Sequence, residues 1–245
     1  MSQLQTKNKA VLVLCLQGPL QSWGHDSQFN RRNTALFPTK SAIAGMCCAA
    51  SGLSRGSPEE KAFLKNFATL KLMCVAIPLK SKRSGGELYV KRMQDYHTVL
   101  GTVKPDGKPK GDAVLTYRQY LNDALFYALL EGEQTFLESI KDGPEKKTGL
   151  RNPVWGVWLG RKTCIPSKPV FAGIYASEQE AISQLEKLEG KPLEAFTHLR
   201  EVESFGHGID SYRDQAISFE STNRQFIPRR VVLREAKLVS SKDTF

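Results

Sequence analysis

Tyr117-Arg-Gln-Tyr-Leu-Asn-Asp-Ala-Leu-Phe-Tyr-Ala-Leu-Leu130 decides the fold. Its second half, Leu121–Leu130, admits a strand or a helix by pattern, because a continuous apolar run carries no period of its own. Read as one long strand, Tyr117–Leu130 turns the preceding sequence into a hairpin. Tyr89–Met93 and Leu115–Tyr120 are then its arms, and Gly101-Thr-Val-Lys-Pro-Asp-Gly-Lys-Pro-Lys-Gly111 is an irregular basic tip. A structureless insertion of that length in a folded domain is usually functional or disordered.

On the N-terminal side, Ala10-Val-Leu-Val-Leu-Cys-Leu16 and Leu70–Leu79 are apolar runs bounded by turn formers and read as buried strands. Gln17–Phe37 lacks periodicity and reads as a long loop. Pro38-Thr-Lys-Ser41 opens an Ala-rich helix that stops before Gly52, and Ser57-Pro58 caps a second one. On the C-terminal side come a short helix at Gln134–Lys141, a strand at Val154–Leu159, an amphipathic helix at Ala176–Leu188 and a closing strand at Phe226–Val239. This order predicts an α+β chain: a ferredoxin-like domain over 1–150, with a projecting hairpin at about 80–117, and a smaller β-rich portion over 151–245 carrying one acidic helix.

The chain has 245 residues, 35 Lys+Arg and 25 Asp+Glu, for a net charge of +10. No apolar run reaches the roughly 18–20 residues of a membrane span, and the N-terminus has no signal-peptide pattern, which predicts a cytoplasmic protein with no membrane partner. The charge is unevenly placed. Lys80–Arg118 carries nine basic and four acidic residues and Lys141–Lys168 seven and two, whereas Glu178–Glu203 carries seven acidic and three basic. A basic face set apart from an acidic helix is the footprint of a nucleic-acid binder.

Motifs for catalysis are sparse. There is no phosphate-binding glycine loop of the P-loop type, no nucleophile elbow and no zinc-protease helix. Five cysteines without a CxxC pair and four scattered histidines indicate neither a metal site nor a cofactor, and the thiols read as small buried groups. Lys91, Tyr96 and His97 could in principle share metal-independent RNA cleavage, but in a strand Tyr96 and His97 face opposite ways. Binding signals are stronger. Gln21-Ser22-Trp23 follows a Gly-Pro turn, Arg31 and Arg32 offer phosphate forks, Lys40 and Ser41 stand at a helix N-terminus, and Arg161-Lys162 follows Gly160. Trp23 is read as either a stacking face or core, and the helix start as either a phosphate site or ordinary capping.

Leu14–Gly24 (LCLQGPLQSWG), Pro38–Gly56, Asp95–Gly101 (DYHTVLG), Thr116–Phe126 and Pro153–Pro169 also occur in this order in a known family. Across Val11–Pro169 the chain resembles the CasD family, the subunits of type I CRISPR Cascade complexes that bind the 5′ handle of crRNA, with the type I-E branch most similar in wording. The resemblance implies an RRM-like domain with a hairpin thumb, a capped RNA-bound filament, and contacts to a backbone subunit and to the large PAM-recognising subunit, so that target DNA is met indirectly. It also implies a binding rather than a cleaving role. A sister branch does cut the repeat, and the Gly206-His207-Gly208 fragment is the nearest approach here to the glycine loop of RNA-processing relatives. On this basis the expected RNA contacts are Gln21, Ser22, Trp23, Arg31, Arg32, Lys40, Ser41, His97, Arg118, Arg161 and Lys162. Lys91, Arg92, Lys104, Lys108 and Lys110 of the thumb are expected to meet RNA or the neighbouring subunit. A repeat-cleaving endoribonuclease and a scaffold binding acidic protein are the alternatives.

Overall fold

The computed structural model describes residues 8–80, 85–143, 148–203 and 210–237. Lys82, Arg83, Lys146, Lys147, Gly206–Gly208 and the last residues of the expected closing strand lie outside them. The elements begin with β1 (Lys9–Gln21), β2 (Arg31–Arg32), α1 (Lys40–Ala50), α2 (Pro58–Ala68), β3 (Lys71–Ile77), β4 (Leu79–Lys80), β5 (Glu87–Leu88) and β6 (Lys91–Val99). They continue with β7 (Val114–Glu133), α3 (Gln134–Asp142), β8 (Phe171–Tyr175), α4 (Glu178–Glu189), β9 (His198–Val202), β10 (Asp210–Ser218) and β11 (Gln225–Arg234).

One sheet organises the molecule, in the order β10-β11-β9-β3-β7-β1-β8, with β6 and β2 also paired to β7. All pairings are antiparallel except β2 with β7. The central strands look like unbroken apolar runs because both faces are covered. Leu12, Leu14 and Leu16 of β1 with Phe126, Ala128 and Leu130 of β7 face α1, α2 and α3. Val11, Val13 and Cys15 with Leu125, Tyr127 and Leu129 face Ala181 and Leu185 of α4. The α+β class is as expected, and the 20-residue β7 settles the strand-or-helix question for Leu121–Leu130.

The hairpin forms as the sequence suggests, with register from Lys91↔Asn122 to Val99↔Val114, and its tip is exposed. Two expectations are corrected. β1 runs on through Gln21, so the Gln17–Phe37 loop starts later than expected. Val154–Leu159 is not a strand. Its start is held instead by Val154 N–H and Trp155 N–H donating to the Ala50 and Ala49 carbonyls at the end of α1, 2.9 and 3.2 Å away. The Ala50 carbonyl is one that a helix end leaves without a partner of its own, and the Ala49 carbonyl also accepts Gly52 N–H at 3.1 Å.

All five cysteines are free and buried. Burial pushes the Cys48 and Cys74 thiols up to about 12, which removes them as thiolates at neutral pH. Among the described residues no helix is long and apolar enough to cross a membrane, and no cluster of His, Cys, Asp and Glu has metal-binding form.

Candidate nucleic-acid interface

Three segments far apart in sequence meet where the hairpin leaves the sheet. β2 lies parallel to β7, pairing Arg31 with Tyr117 and Arg32 with Arg118, and both β2 arginines are exposed. The Asn30 carbonyl accepts from Tyr117 N–H at 2.8 Å and fixes that register. The Arg31 guanidinium sits 5.4 Å from the Tyr117 ring centre, and the Tyr117 ring lies 5.3 Å from that of Tyr96 across the hairpin. Tyr96 is 56% exposed.

The third segment is the turn at 159–164. Leu159 N–H donates to Cys164 O and Cys164 N–H to Arg161 O, both at 2.8 Å. Gly160 holds a φ of +96°, and a Cβ there would fall 1.8 Å from the Ser22 carbonyl oxygen, so only glycine permits this approach. The turn delivers Arg161 to the other face of β7, because Tyr120 stands three residues from Tyr117 in an unbroken register and so points the opposite way. Its guanidinium covers the Tyr120 ring at 4.8 Å and donates through Nη2 to Arg32 O at 2.8 Å, while Nη1 has no partner. Arg118 donates from Nε to Thr116 Oγ1 at 3.1 Å and is partly exposed. The result is two basic faces at the hairpin base, Arg31 with the Tyr96 and Tyr117 rings on one and Arg32, Arg118 and Arg161 around the buried Tyr120 on the other. The first is the combination that holds unpaired strands by stacking and phosphate contact.

Several expected contacts lie elsewhere. Gln21, Ser22 and Trp23 are buried, Trp23 at 0% exposure. Gln21 Nε2 donates to the Leu16 and Ala124 carbonyls at 2.9 and 2.7 Å, and its Oε1 accepts from Trp23 Nε1–H at 3.1 Å. Ser22 Oγ donates to Gln119 O at 3.1 Å. These residues brace the loop from beneath, and Trp23 resolves to core.

Lys40 is 1% exposed and is likewise a core residue rather than a surface contact. Its ammonium donates to Leu70 O at 2.6 Å, Glu201 Oε1 at 2.9 Å and Gln215 Oε1 at 3.0 Å. Burial pulls it below its ordinary pKa, with Glu201 working against that. The helix start it was expected to offer to phosphate is already taken, because Asp214 Oδ2 accepts Lys40 N–H at 2.8 Å and Thr39 Oγ1 accepts Ala42 N–H. Ser41 is half-buried beside them.

His97 is half-buried on β6, with Nδ1 3.8 Å from Asp95 Oδ2, and it pairs across to Thr116 while Tyr96 pairs to Tyr117. Lys91 and Arg92 are exposed on the hairpin stem, Lys104, Lys108 and Lys110 at its tip, and Lys162 beside Arg161. Sequence reasoning misses Tyr117. Its signal is present in Tyr117-Arg-Gln-Tyr120, but a ring within a long strand looks like core until the covering Arg31 is placed, and Tyr120 is indeed core.

Comparison with known proteins identifies the family. A family model described as CRISPR-associated protein (Cas_Cas5) matches residues 11–232. The CRISPR system Cascade subunit CasD of Escherichia coli strain K12 is 30% identical over 187 residues, covering 74% of this chain and 80% of that protein. Among solved structures, a chain of a CRISPR RNA-guided surveillance complex matches with TM-score 0.67 and 25% identity, covering 92% of this chain and 90% of that one. A crystal structure of a Cas protein matches with TM-score 0.61 and 30% identity over 92% and 94% of the two chains. With a family model spanning nearly the whole chain and a relative aligned over most of its length, this protein belongs to the CRISPR-associated Cas5 family.

Proposed function

We propose that the chain is a non-catalytic RNA-binding subunit of a cytoplasmic Cascade-type surveillance complex, holding the 5′ handle of crRNA and capping the backbone filament. The observation that carries this is the arginine–tyrosine surface at the hairpin base, where Arg31 joins the Tyr96 and Tyr117 rings, with Arg32, Arg118 and Arg161 on the opposite face of the same strands. It offers guanidinium forks to phosphates and the Tyr96 and Tyr117 rings to bases. The strand order β3-β7-β1-β8, with helices on the connections, matches a split β-α-β unit and supports the RRM-like reading of the N-terminal portion. The exposed hairpin, with Lys104, Lys108 and Lys110 at its tip, suits contact with a neighbouring backbone subunit or the RNA it carries, and the large PAM-recognising subunit would abut the same end.

The test is a gel assay with labelled repeat RNA in EDTA. Intact RNA, shifted in preference to a scrambled strand of equal length, is the expected result. Arg31→Ala with Arg161→Ala should weaken the shift and make the log-affinity against log-salt line shallower by roughly 0.7 for each phosphate no longer neutralised. A single cut that vanishes in His97→Ala or Tyr96→Phe would make the chain a processing nuclease instead.

A further inference from the structure

Behind Gly160 lies a second concave surface. α1 turns Ile43, Ala44, Met46, Cys47 and Cys48 into the core, so Ser41, Ala42, Gly45 and Ala49 form its outer face. An exposed helix face ordinarily carries charge, and this one carries none. The small residues floor a cleft of about 700 Å³, within the roughly 300–1,000 Å³ usual for small-ligand sites. The 153–162 coil supplies one wall with Trp155 and Trp158, 47% and 37% exposed. Phe219 of the turn between β10 and β11 and Phe226 at the start of β11 supply the other, and Lys162 also lines the cleft.

Glu60 gives the cleft its chemistry. It lines the site at 0% exposure, and its two oxygens are unequal. Oε2 accepts Gly56 N–H at 2.9 Å and Phe219 N–H at 3.4 Å, whereas Oε1 has no partner. A buried carboxylate oxygen without a donor costs free energy unless a ligand brings one. Capping of α2 accounts for Oε2 and leaves Oε1 unexplained.

We propose that this cleft takes one unstacked nucleobase bearing an exocyclic amine, with its ring against the tryptophans and its amine donating to Glu60 Oε1. An adenine, cytosine or guanine amine satisfies a carboxylate oxygen. The single N–H of uracil's pairing edge lies between two carbonyl oxygens that the carboxylate repels. Lys162 lines the cleft as a cation for the phosphate of the same nucleotide, and Arg161, its neighbour in sequence, covers Tyr120 and donates to Arg32 O. A strand crossing the Gly160 turn can therefore leave its backbone on one side and insert a base on the other. Base capture here rests on the RNA-binding reading above and adds a base preference to it.

The experiment titrates the whole chain with AMP, CMP, GMP and UMP and follows tryptophan fluorescence, with the repeat-RNA gel shift run in parallel. Saturable quenching by AMP, CMP and GMP, at least ten-fold tighter than by UMP, is the expected result. Glu60→Gln keeps an acceptor for Gly56 N–H and turns an amide N–H₂ toward the cleft, so the preference should narrow or reverse toward UMP. Gly45→Leu fills the floor from a helix position that tolerates a side chain, since a Cβ there meets only the Phe219 ring at 3.6 Å. That variant should lose quenching and provides a second test should Glu60→Gln fail to fold. Equal response to all four nucleotides, or quenching indifferent to both variants, overturns the proposal. So does RNA binding without nucleotide quenching, which leaves the RNA-binding reading standing. Selective quenching without RNA binding keeps the cleft and sinks that reading.

Discussion

At the residue scale, the sequence distinguishes cations poorly. Lys40 and Arg161 both follow turn formers and both open short polar runs, yet one is core and the other surface. The difference lies in groups distant in sequence, namely Glu201, Gln215 and the Leu70 carbonyl for Lys40 and Tyr120 with Arg32 O for Arg161. Lys40→Ala should therefore cost about 3–5 kcal/mol of stability, because it strips Glu201 of a buried partner. Denaturant titration reads that loss, and RNA affinity of the folded fraction should keep its full salt slope. A stable Lys40→Ala protein with a shallower slope would return Lys40 to the RNA surface. His198 carries a separate pH effect. Burial holds its imidazole below the ordinary range, the Phe196 carbonyl opposes that, and Arg200 and Arg234 add to the depression. The unfolded chain takes up this proton near pH 6.5 and the folded chain only at lower pH, so stability is full above about 6.5 and is lost as pH falls toward the folded value. The thermal midpoint should drop more between about pH 7 and pH 5 in the parent than in His198→Gln, and equal drops would remove His198 as the cause.

At the element scale, the strands were legible where period and length agreed. β1, β3 and β7 are apolar runs bounded by breakers, and the helices at 40, 58, 134 and 178 announce themselves by caps or periodicity. Val154–Leu159 misled because its alternating tryptophans and valines mimic a strand, whereas Val154 and Trp155 spend their N–H groups on the end of α1. Gln21-Ser22-Trp23 misled in the other direction, since polar residues in a turn look exposed until their hydrogen bonds are traced. The hairpin was both legible and separable. Its tip makes its own bonds, Lys104 N–H to Lys108 O at 2.8 Å and Lys110 N–H to Thr102 O at 2.8 Å, and Leu100 and Val103 are exposed. Val99 and Val114 face each other at the last rung, so residues 100–113 can be replaced by Asn-Gly, a turn matched to antiparallel strands. The shortened protein should keep its melting temperature within a few degrees and its RNA shift within about three-fold, because the arginine–tyrosine surface lies below the cut. It should lose co-purification with a backbone subunit. Collapse of RNA affinity with the fold intact would place the handle along the tip instead.

At the scale of the whole molecule, the order of elements in the sequence suggests portions 1–150 and 151–245, while the hydrogen bonds cross that line. β9 pairs with β3 through Cys74↔Leu199, and β11 and β10 extend the same sheet beyond it. Asp214 of β10 caps α1 and holds Arg229 of β11 through two bonds of 2.6 and 3.0 Å, and Glu201 of β9 meets Lys40. This charged network binds its members tightly because they are desolvated and meet one another and nearby backbone groups, such as the Leu70 carbonyl and Leu72 N–H, in place of water. A chain ending at Thr197 would expose the open edge of β3 and leave Lys40 without Glu201, Gln215 or Asp214. Unpaired strand edges and unpartnered buried charges both favour aggregation or unfolding over an independent domain. The full chain is therefore expected to unfold in one calorimetric transition, with van't Hoff and calorimetric enthalpies in agreement, and the 1–197 fragment is expected not to accumulate as folded protein. Two resolved transitions, or a soluble fragment with native near-ultraviolet dichroism, would show that the N-terminal portion folds alone. The network across β9, β10 and β11 would then act as a clasp between two independently folded parts, and Asp214→Asn should lower the midpoint of one transition while sparing the other.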